Sequence, residues 1–210
     1  MNNLLVENII DEVIKRGKKE AFIEVEASGK HVHLCEEHIN ILFGRDYQLN
    51  KVKDLSQPGQ YACKERVTIT GPKGSIKNVV VLGPCRNETQ VEISLTDGST
   101  LGLKAPIKQS GDLEGTLSIK ISTQYGEVEL DKGLMVAKRH IHMTPKDAEK
   151  FNVCDKEIVE AKVMGQRPLT FDDVVIRVSD SFKTYMHIDY DEANACGYSK
   201  GTVAKIIKKA

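Results

Sequence analysis

Two short runs, Lys30-His31-Val32-His33-Leu34 and Arg139-His140-Ile141-His142-Met143, each set two imidazoles two residues apart behind a basic residue. Together they use four of the six histidines in this 210-residue chain. In a strand, side chains i and i+2 point to the same face, so each pair can close on one metal ion. The runs are offset by 109 residues, and a second matched pair follows: Thr89-Gln-Val-Glu92-Ile-Ser against Thr184-Tyr-Met-His187-Ile-Asp, offset by 95. Glu92 and His187 then fall at equivalent strand positions. The pattern describes a duplicated unit in which each half carries His-x-His and one later donor.

The two sets are His31, His33 and Glu92, and His140, His142 and His187. Three nitrogen or oxygen ligands with a fourth position open is the layout of a catalytic zinc, whereas a structural zinc takes four ligands and usually sulfur. Imidazole-rich sites disfavour hard cations such as magnesium, while cobalt, nickel and iron suit the same donors. Histidines on strands are often ordinary core or surface residues. Two pairs in register, each with a repeated third donor, weigh against that. His38 is matched in the repeat by Asp147 and reads as a solvated helix residue. Cys35 is matched by Thr144 and reads as a bystander thiol. His31-x-His33-x3-Glu37-x6-Gly44 imitates a cupin motif, but no second cupin motif follows and Glu36–Ile39 has helical character.

Positioning these side chains requires strands. Short alternating segments at Ala21–Ala27, Arg66–Thr70, Asn78–Leu82, Gln90–Leu95, Leu117–Ser122, Ile158–Val163, Val174–Val178 and Tyr185–Asp189 are separated by turn residues such as Gly71-Pro72-Lys73-Gly74 and Asp97-Gly98. Many short strands with glycine turns point to small barrels or sandwiches. Each His pair is followed by a helix-like stretch, Cys35–Phe43 and Thr144–Phe151. In the second, Thr144 is placed to cap, Pro145 to open the helix and Asp147 to sit in its first turn. Residues 3–16 carry Leu4, Leu5, Val6, Ile9, Ile10, Val13 and Ile14 on one helical stripe, which predicts an N-terminal amphipathic helix. The expected division is residues 1–20 as that helix, 21–125 as the first β-barrel half and 126–210 as the second, with a boundary within Lys104–Gly126.

Composition narrows the function classes. Thirty basic residues balance thirty acidic ones, so no overall field recruits nucleic acid or an anionic membrane. No apolar stretch approaches the roughly 20 residues that span a bilayer. Five dispersed cysteines without a Cys-x-x-Cys pair, and no secretory signal pattern, predict reduced thiols in the cytoplasm. Gly83-Pro84-Cys85-Arg86 lies six residues before Glu92, and an arginine there suits a bidentate grip on phosphate. Spacing alone leaves a surface salt bridge equally open for Arg86. The residues by themselves also leave three function classes open: group transfer, a metal-dependent thioester hydrolase, and a non-catalytic zinc-binding module.

Several longer motifs then occur in order. They are Gly83-Pro-x-Arg86-x-x-Thr89-Gln90-Val91-Glu92-Ile93-Ser94, Ala105-Pro106 with Ser110-Gly111-Asp112, Arg167-Pro168-Leu169-Thr170-Phe171, and His187-Ile-Asp189-x-Asp191-Glu192-Ala193-Asn194-Ala195. With the two His-x-His runs, they closely resemble the phosphate propanoyltransferases of the propanediol-utilisation type over essentially the whole chain. The resemblance implies a phosphate acyltransferase that interconverts a short-chain acyl-CoA, propanoyl-CoA or acetyl-CoA, and phosphate with an acyl phosphate and CoA. It implies a mainly β fold of two tandem small β-barrels capped by short helices, with strand 21–29 exchanged into the second barrel. Two zinc ions are implied on the two sets above, with Arg86 as the phosphate-binding arginine and coenzyme A contacts at Ser28, Lys53, Leu82 and Asn194. It further implies a homo-oligomer. Residues 1–20 either pack on the protein or direct it to shell or core proteins in a bacterial microcompartment lumen.

Overall fold

The computed structural model describes residues 22–207, so the helix expected over residues 3–16 lies outside the described residues. The first half of the chain runs β1 (Ile23–Ser28), β2 (His31–Cys35), α1 (Glu36–Phe43), β3 (Lys51–Asp54), β4 (Tyr61–Thr70), β5 (Ser75–Arg86), β6 (Gln90–Ile93), α2 (Leu95–Leu101), β7 (Ile107–Lys108) and β8 (Leu117–Ser122). The rest runs β9 (Glu127–Ala137), β10 (His140–Met143), α3 (Pro145–Phe151), β11 (Ile158–Val163), β12 (Leu169–Val178), β13 (Tyr185–Asp189), α4 (Tyr190–Cys196) and β14 (Val203–Ile207). The segments expected from alternation are strands where they are described, except that Ser94 and Leu95 at the end of Gln90–Leu95 fall to the cap and first turn of α2, and both stretches after the His pairs are helices. Thr144 caps α3 by accepting from the Asp147 amide, with Pro145 in the first turn. None of the described helices is long and apolar enough to cross a membrane.

The expected turn at Asp97-Gly98 needs correction. Asp97-Gly98 is no turn but lies inside α2, where Ser94 and Asp97 form a reciprocal capping box. The Ser-x-x-Asp spacing satisfies free amides at the helix start, and that outweighs the turn character of the dipeptide. The same device opens α4 with Asp189 and Glu192.

The strands form two sheets. One is a closed barrel in the order β1-β13-β10-β12-β11-β14, sealed where Ile23 and Glu24 of β1 pair antiparallel with Ala204 and Val203 of β14. The other has eight strands in the order β3-β4-β5-β2-β6-β9-β7, and β8 pairs with both β4 and β9. Those extra pairings close a second ring of six strands. Within each ring a His-x-His strand lies between a parallel and an antiparallel neighbour. β2 has β5 and β6, and β10 has β12 and β13.

The rings are interlocked by a reciprocal exchange. β1 leads into β2, yet it pairs parallel with β13 in the other ring. β9 leads into β10, yet it pairs parallel with β6 in the first ring. Each strand carries its apolar residues with it: β9 gives Val128, Leu130, Leu134 and Val136 to the first core, and β1 gives Ile23 and Val25 to the second. Sequence order and barrel membership therefore part company at these two strands.

A tyrosine ring lies over the end of β5 that carries Arg86. A Cβ on Gly83 would run into the Tyr61 ring, so glycine lets that ring lie flat on β5 and any larger residue would force it to move. Leu134 is fully buried where β9 enters the first core. Leu134→Ala is expected to lower unfolding free energy by about 2–5 kcal/mol in urea titrations, and a loss well under about 1 kcal/mol would show that β9 does not pack as described.

Candidate active site

Strand geometry assembles the two sets. His31 and His33 project from one face of β2, and Glu92 of β6 lies directly across the ladder from His31. On the other ring, His187 of β13 lies directly across from His140 of β10. In both sets the candidate ligand atoms lie within 4.8 Å of one another. The helix after each third donor locks the His strand in place: Lys30 reaches Asp97 of α2 at 2.9 Å, and Arg139 reaches Glu192 of α4 at 2.7 Å. The basic residue before each His pair is thus a tether from strand to helix cap.

The imidazoles are oriented in the same way in both halves. Nδ1 of His31 donates to the Gly29 carbonyl, and Nδ1 of His140 donates to the Lys138 carbonyl, each at 2.8 Å. A carbonyl only accepts, so these bonds fix the tautomer and leave Nε2 as a lone-pair donor. Nδ1 of His33 and Nδ1 of His142 are buried with no hydrogen-bond partner among the described residues. Buried polar nitrogens rarely go unmatched. One Nε2, one Nδ1 and a third donor on each ring form a set that fits a borderline divalent cation such as zinc. The third donor on the second ring is oriented by Glu26, whose Oε2 stands 3.4 Å from His187 Nδ1, while His187 Nε2 accepts from Gln57 Nε2 at 3.3 Å.

Burial keeps these groups in ligand form. It pushes His140 down to about 4, and it takes His142 to about 3 with help from the charges of His140 and Arg177. Burial, reinforced by neighbouring imidazoles, holds His33 and His187 well below the usual histidine range. His31 differs. Burial opposes its charge, but the adjacent Glu92 and the Gly29 carbonyl more than offset that and raise it. Burial likewise opposes the Glu92 carboxylate, and the His31 imidazole outweighs it, holding Glu92 well below the usual carboxylate range.

Both sets face one cavity of about 250 Å³, which Arg86, Arg177, Ser110 and Phe182 also line. Arg86 ends β5 opposite Cys35. A buried Gln90 organises this wall: its Nε2 donates to Glu92 and, at 3.0 Å, to Ser110 Oγ, while its Oε1 accepts from the Gly111 amide at 2.8 Å. Arg86 contacts Ser110 Oγ at 3.4 Å. Ser28 and Leu82 line the cavity, whereas Lys53 and Asn194 are exposed residues outside its lining.

His38 is not solvated as its spacing suggested. It is half-buried, with Nδ1 2.7 Å from Thr89 Oγ1. That hydroxyl also accepts from the Cys35 amide, so His38 tethers α1 to the strand that leads to Glu92. Sequence reasoning missed Gln90, Glu26, Gln57 and Arg177. The signal for Gln90 was present, because it stands two residues before Glu92 on one strand face. Glu26 meets His187 only through the exchange of β1, which no local pattern announces.

A family model described as phosphate propanoyltransferase matches residues 24–199. The chain is similar to the phosphate propanoyltransferase of Clostridioides difficile (strain 630), 91% identical over 210 residues with 100% of both chains covered. It is also similar to the phosphate propanoyltransferase of Listeria monocytogenes, 59% identical, covering 100% of this chain and 98% of that relative. The phosphate propanoyltransferase of Thermotoga maritima is 52% identical, with 95% of each chain covered.

The neutral histidines carry a sign for stability. As pH falls from about 6.5 toward about 4, an unfolded chain takes up a proton at His140 that the folded one refuses. Metal-stripped protein is therefore expected to lose stability across that window, read as a falling midpoint in urea. A midpoint that holds or rises would contradict the burial argument.

Proposed function

This chain belongs to the phosphate propanoyltransferase family, and from that premise we propose that it transfers a short acyl group between CoA sulfur and a phosphate oxygen by direct displacement, with one zinc ion on each His-rich set. The observation that carries this reading is the convergence of both sets and Arg86 on one cavity.

Arg86 is half-buried and its guanidinium faces the cavity beside Ser110. A planar guanidinium grips two phosphate oxygens at once and fixes the angle from which the third attacks. His33 and His142, held neutral, each keep one ring nitrogen as a lone-pair donor for their own set. Zinc held by His31, His33 and Glu92 and by His140, His142 and His187 would supply Lewis acidity toward phosphate oxygens and the thioester carbonyl. In the forward step a phosphate oxygen forms a bond to the carbonyl carbon, the carbon–sulfur bond breaks, and CoA leaves as thiolate. Holding both reactants in attack geometry is worth roughly 7–11 kcal/mol. Direct displacement is supported because none of the three serines lining the cavity hydrogen-bonds a histidine among the described residues: no bond joins Ser28 to one, Ser56 is engaged with Glu26, and Ser110 with Gln90 and Arg86. No cysteine lines the cavity.

Cavity size supports a particular substrate pose. Pockets that enclose drug-sized ligands run to about 300–1,000 Å³, and this one is about 250 Å³. CoA therefore inserts only its thioester end, beside Ser28 and Leu82, and its nucleotide end lies over the surface outside.

Release of CoA from propanoyl-CoA is expected to require phosphate and to yield a hydroxylamine-trappable acyl phosphate. Arg86→Ala should cut that rate by about 10²–10³-fold with metal content retained. CoA release that proceeds equally without phosphate would instead mark a thioester hydrolase, and a wild-type rate in the variant would remove Arg86 from the reaction.

A further inference from the structure

A second guanidinium faces the cavity from the other ring. Arg177 lies on β12, directly paired with His142 of β10, and its side chain lines the same cavity as Arg86. It is held in place by packing: its guanidinium lies 5.7 Å from the Phe182 ring centroid, and Phe182 packs on His142 with centroids 4.1 Å apart. The contrast with other arginines is informative. Arg139 is taken up by Glu192, and Arg66 by the carbonyls of Cys63, Lys64 and Glu65. The Arg177 guanidinium is half-buried and has no salt bridge or hydrogen bond with any described residue. Burial works against its charge, and the carboxylates of Glu92 and Asp155 offset that only in part and without contact, so an anion in direct contact would lower the cost of holding it.

We propose that Arg177 is a second phosphate-binding residue, gripping the transferred phosphate together with Arg86 so that the anion is clamped between guanidiniums supplied by the two interlocked rings. Burial depresses Arg86, the Glu92 carboxylate offsets part of that, and the charge of Arg177 adds to the depression. A multiply charged oxyanion sitting between the two guanidiniums is attracted by both. Nor are they repeat copies of each other. The counterpart of Arg177 across from the second histidine of the first pair is Leu82, whereas Arg86 lies further along β5, opposite Cys35. The duplication thus carries a cation on each side of the seam but at different strand positions, which lets the two approach one anion from different angles. Two phosphoryl sources share this chemistry, inorganic phosphate and the diphosphate of CoA. The location favours the first, because Arg177 lies within the cavity that admits only the thioester end of CoA.

The inference rests on the acyl-transfer reading, and the test separates the two. Arg177→Ala and Arg177→Lys are made in the zinc-loaded full chain and checked for metal content. Initial rates are measured with phosphate and propanoyl-CoA varied in turn, and phosphate binding is measured by equilibrium dialysis without acyl-CoA. Arg177→Ala should raise both the phosphate KM and the dialysis dissociation constant by about tenfold to a hundredfold, with the propanoyl-CoA KM held within about twofold and Arg177→Lys intermediate. Should the alanine variant fail to fold, Arg177→Lys and Arg177→Gln carry the comparison. Phosphate binding equal to wild type would overturn the assignment. A rise confined to the propanoyl-CoA KM would also overturn it and put the guanidinium on the CoA diphosphate. Absence of phosphate-dependent CoA release in the wild type would instead remove the acyl-transfer reading, and dialysis would still report whether Arg177 holds phosphate.

Discussion

Two imidazoles turned to one strand face, with a third donor directly across the ladder from the first, form the constraint around which this protein is arranged. The i, i+2 alternation of β2 and β10 turns both histidines of each pair to one face, and the antiparallel partner sets Glu92 opposite His31 and His187 opposite His140. Each first histidine is then oriented by a carbonyl two residues before it, which leaves its other nitrogen aimed inward. The second histidine of each pair keeps a buried Nδ1 that no described protein group meets. Low local dielectric makes such unmatched polar atoms expensive, and the cation cradles proposed above account for them.

The exchange of β1 and β9 explains why the two cradles face each other. If each leading strand stayed in its own ring, the rings would be joined only by a linker, and the cavity between them would depend on a mobile interface. Instead each ring completes the sheet of the other. Side chains reinforce the seam: Gln57, from the loop after β3, bonds both ways with the backbone of Lys183, and the Thr96 amide of α2 donates to Asp191 of α4. The cavity walls are therefore set by packed strands, which suits a reaction that depends on holding an anion and a thioester at a fixed angle.

Much of this was legible in the sequence because strand alternation is a local signal. The His pairs, the strands Leu117–Ser122, Ile158–Val163 and Tyr185–Asp189, and the capped helix after His142 all follow from spacing within a few residues, while the third donors follow from the match between two segments offset by 95 residues. What the sequence concealed is non-local or competing. Nothing in residues 127–137 says that the strand before the second His pair joins the sheet of the first. Asp97-Gly98 has turn chemistry, yet the capping box beginning at Ser94 wins. His38 looked solvated because its repeat partner is an acid, while the hydroxyl it meets, Thr89, lies 51 residues away. Arg177 carries no motif at all, and only the parallel pairing with β10 brings it to the site.

The most direct measurement is metal stoichiometry by elemental analysis after zinc loading and exhaustive dialysis, on the wild type, Glu92→Ala and His187→Ala. Two independent cradles predict about two equivalents in the wild type and about one in each variant, with anomalous scattering placing the remaining ion on the intact set. A folded, fully active wild type that retains no transition metal would contradict the account.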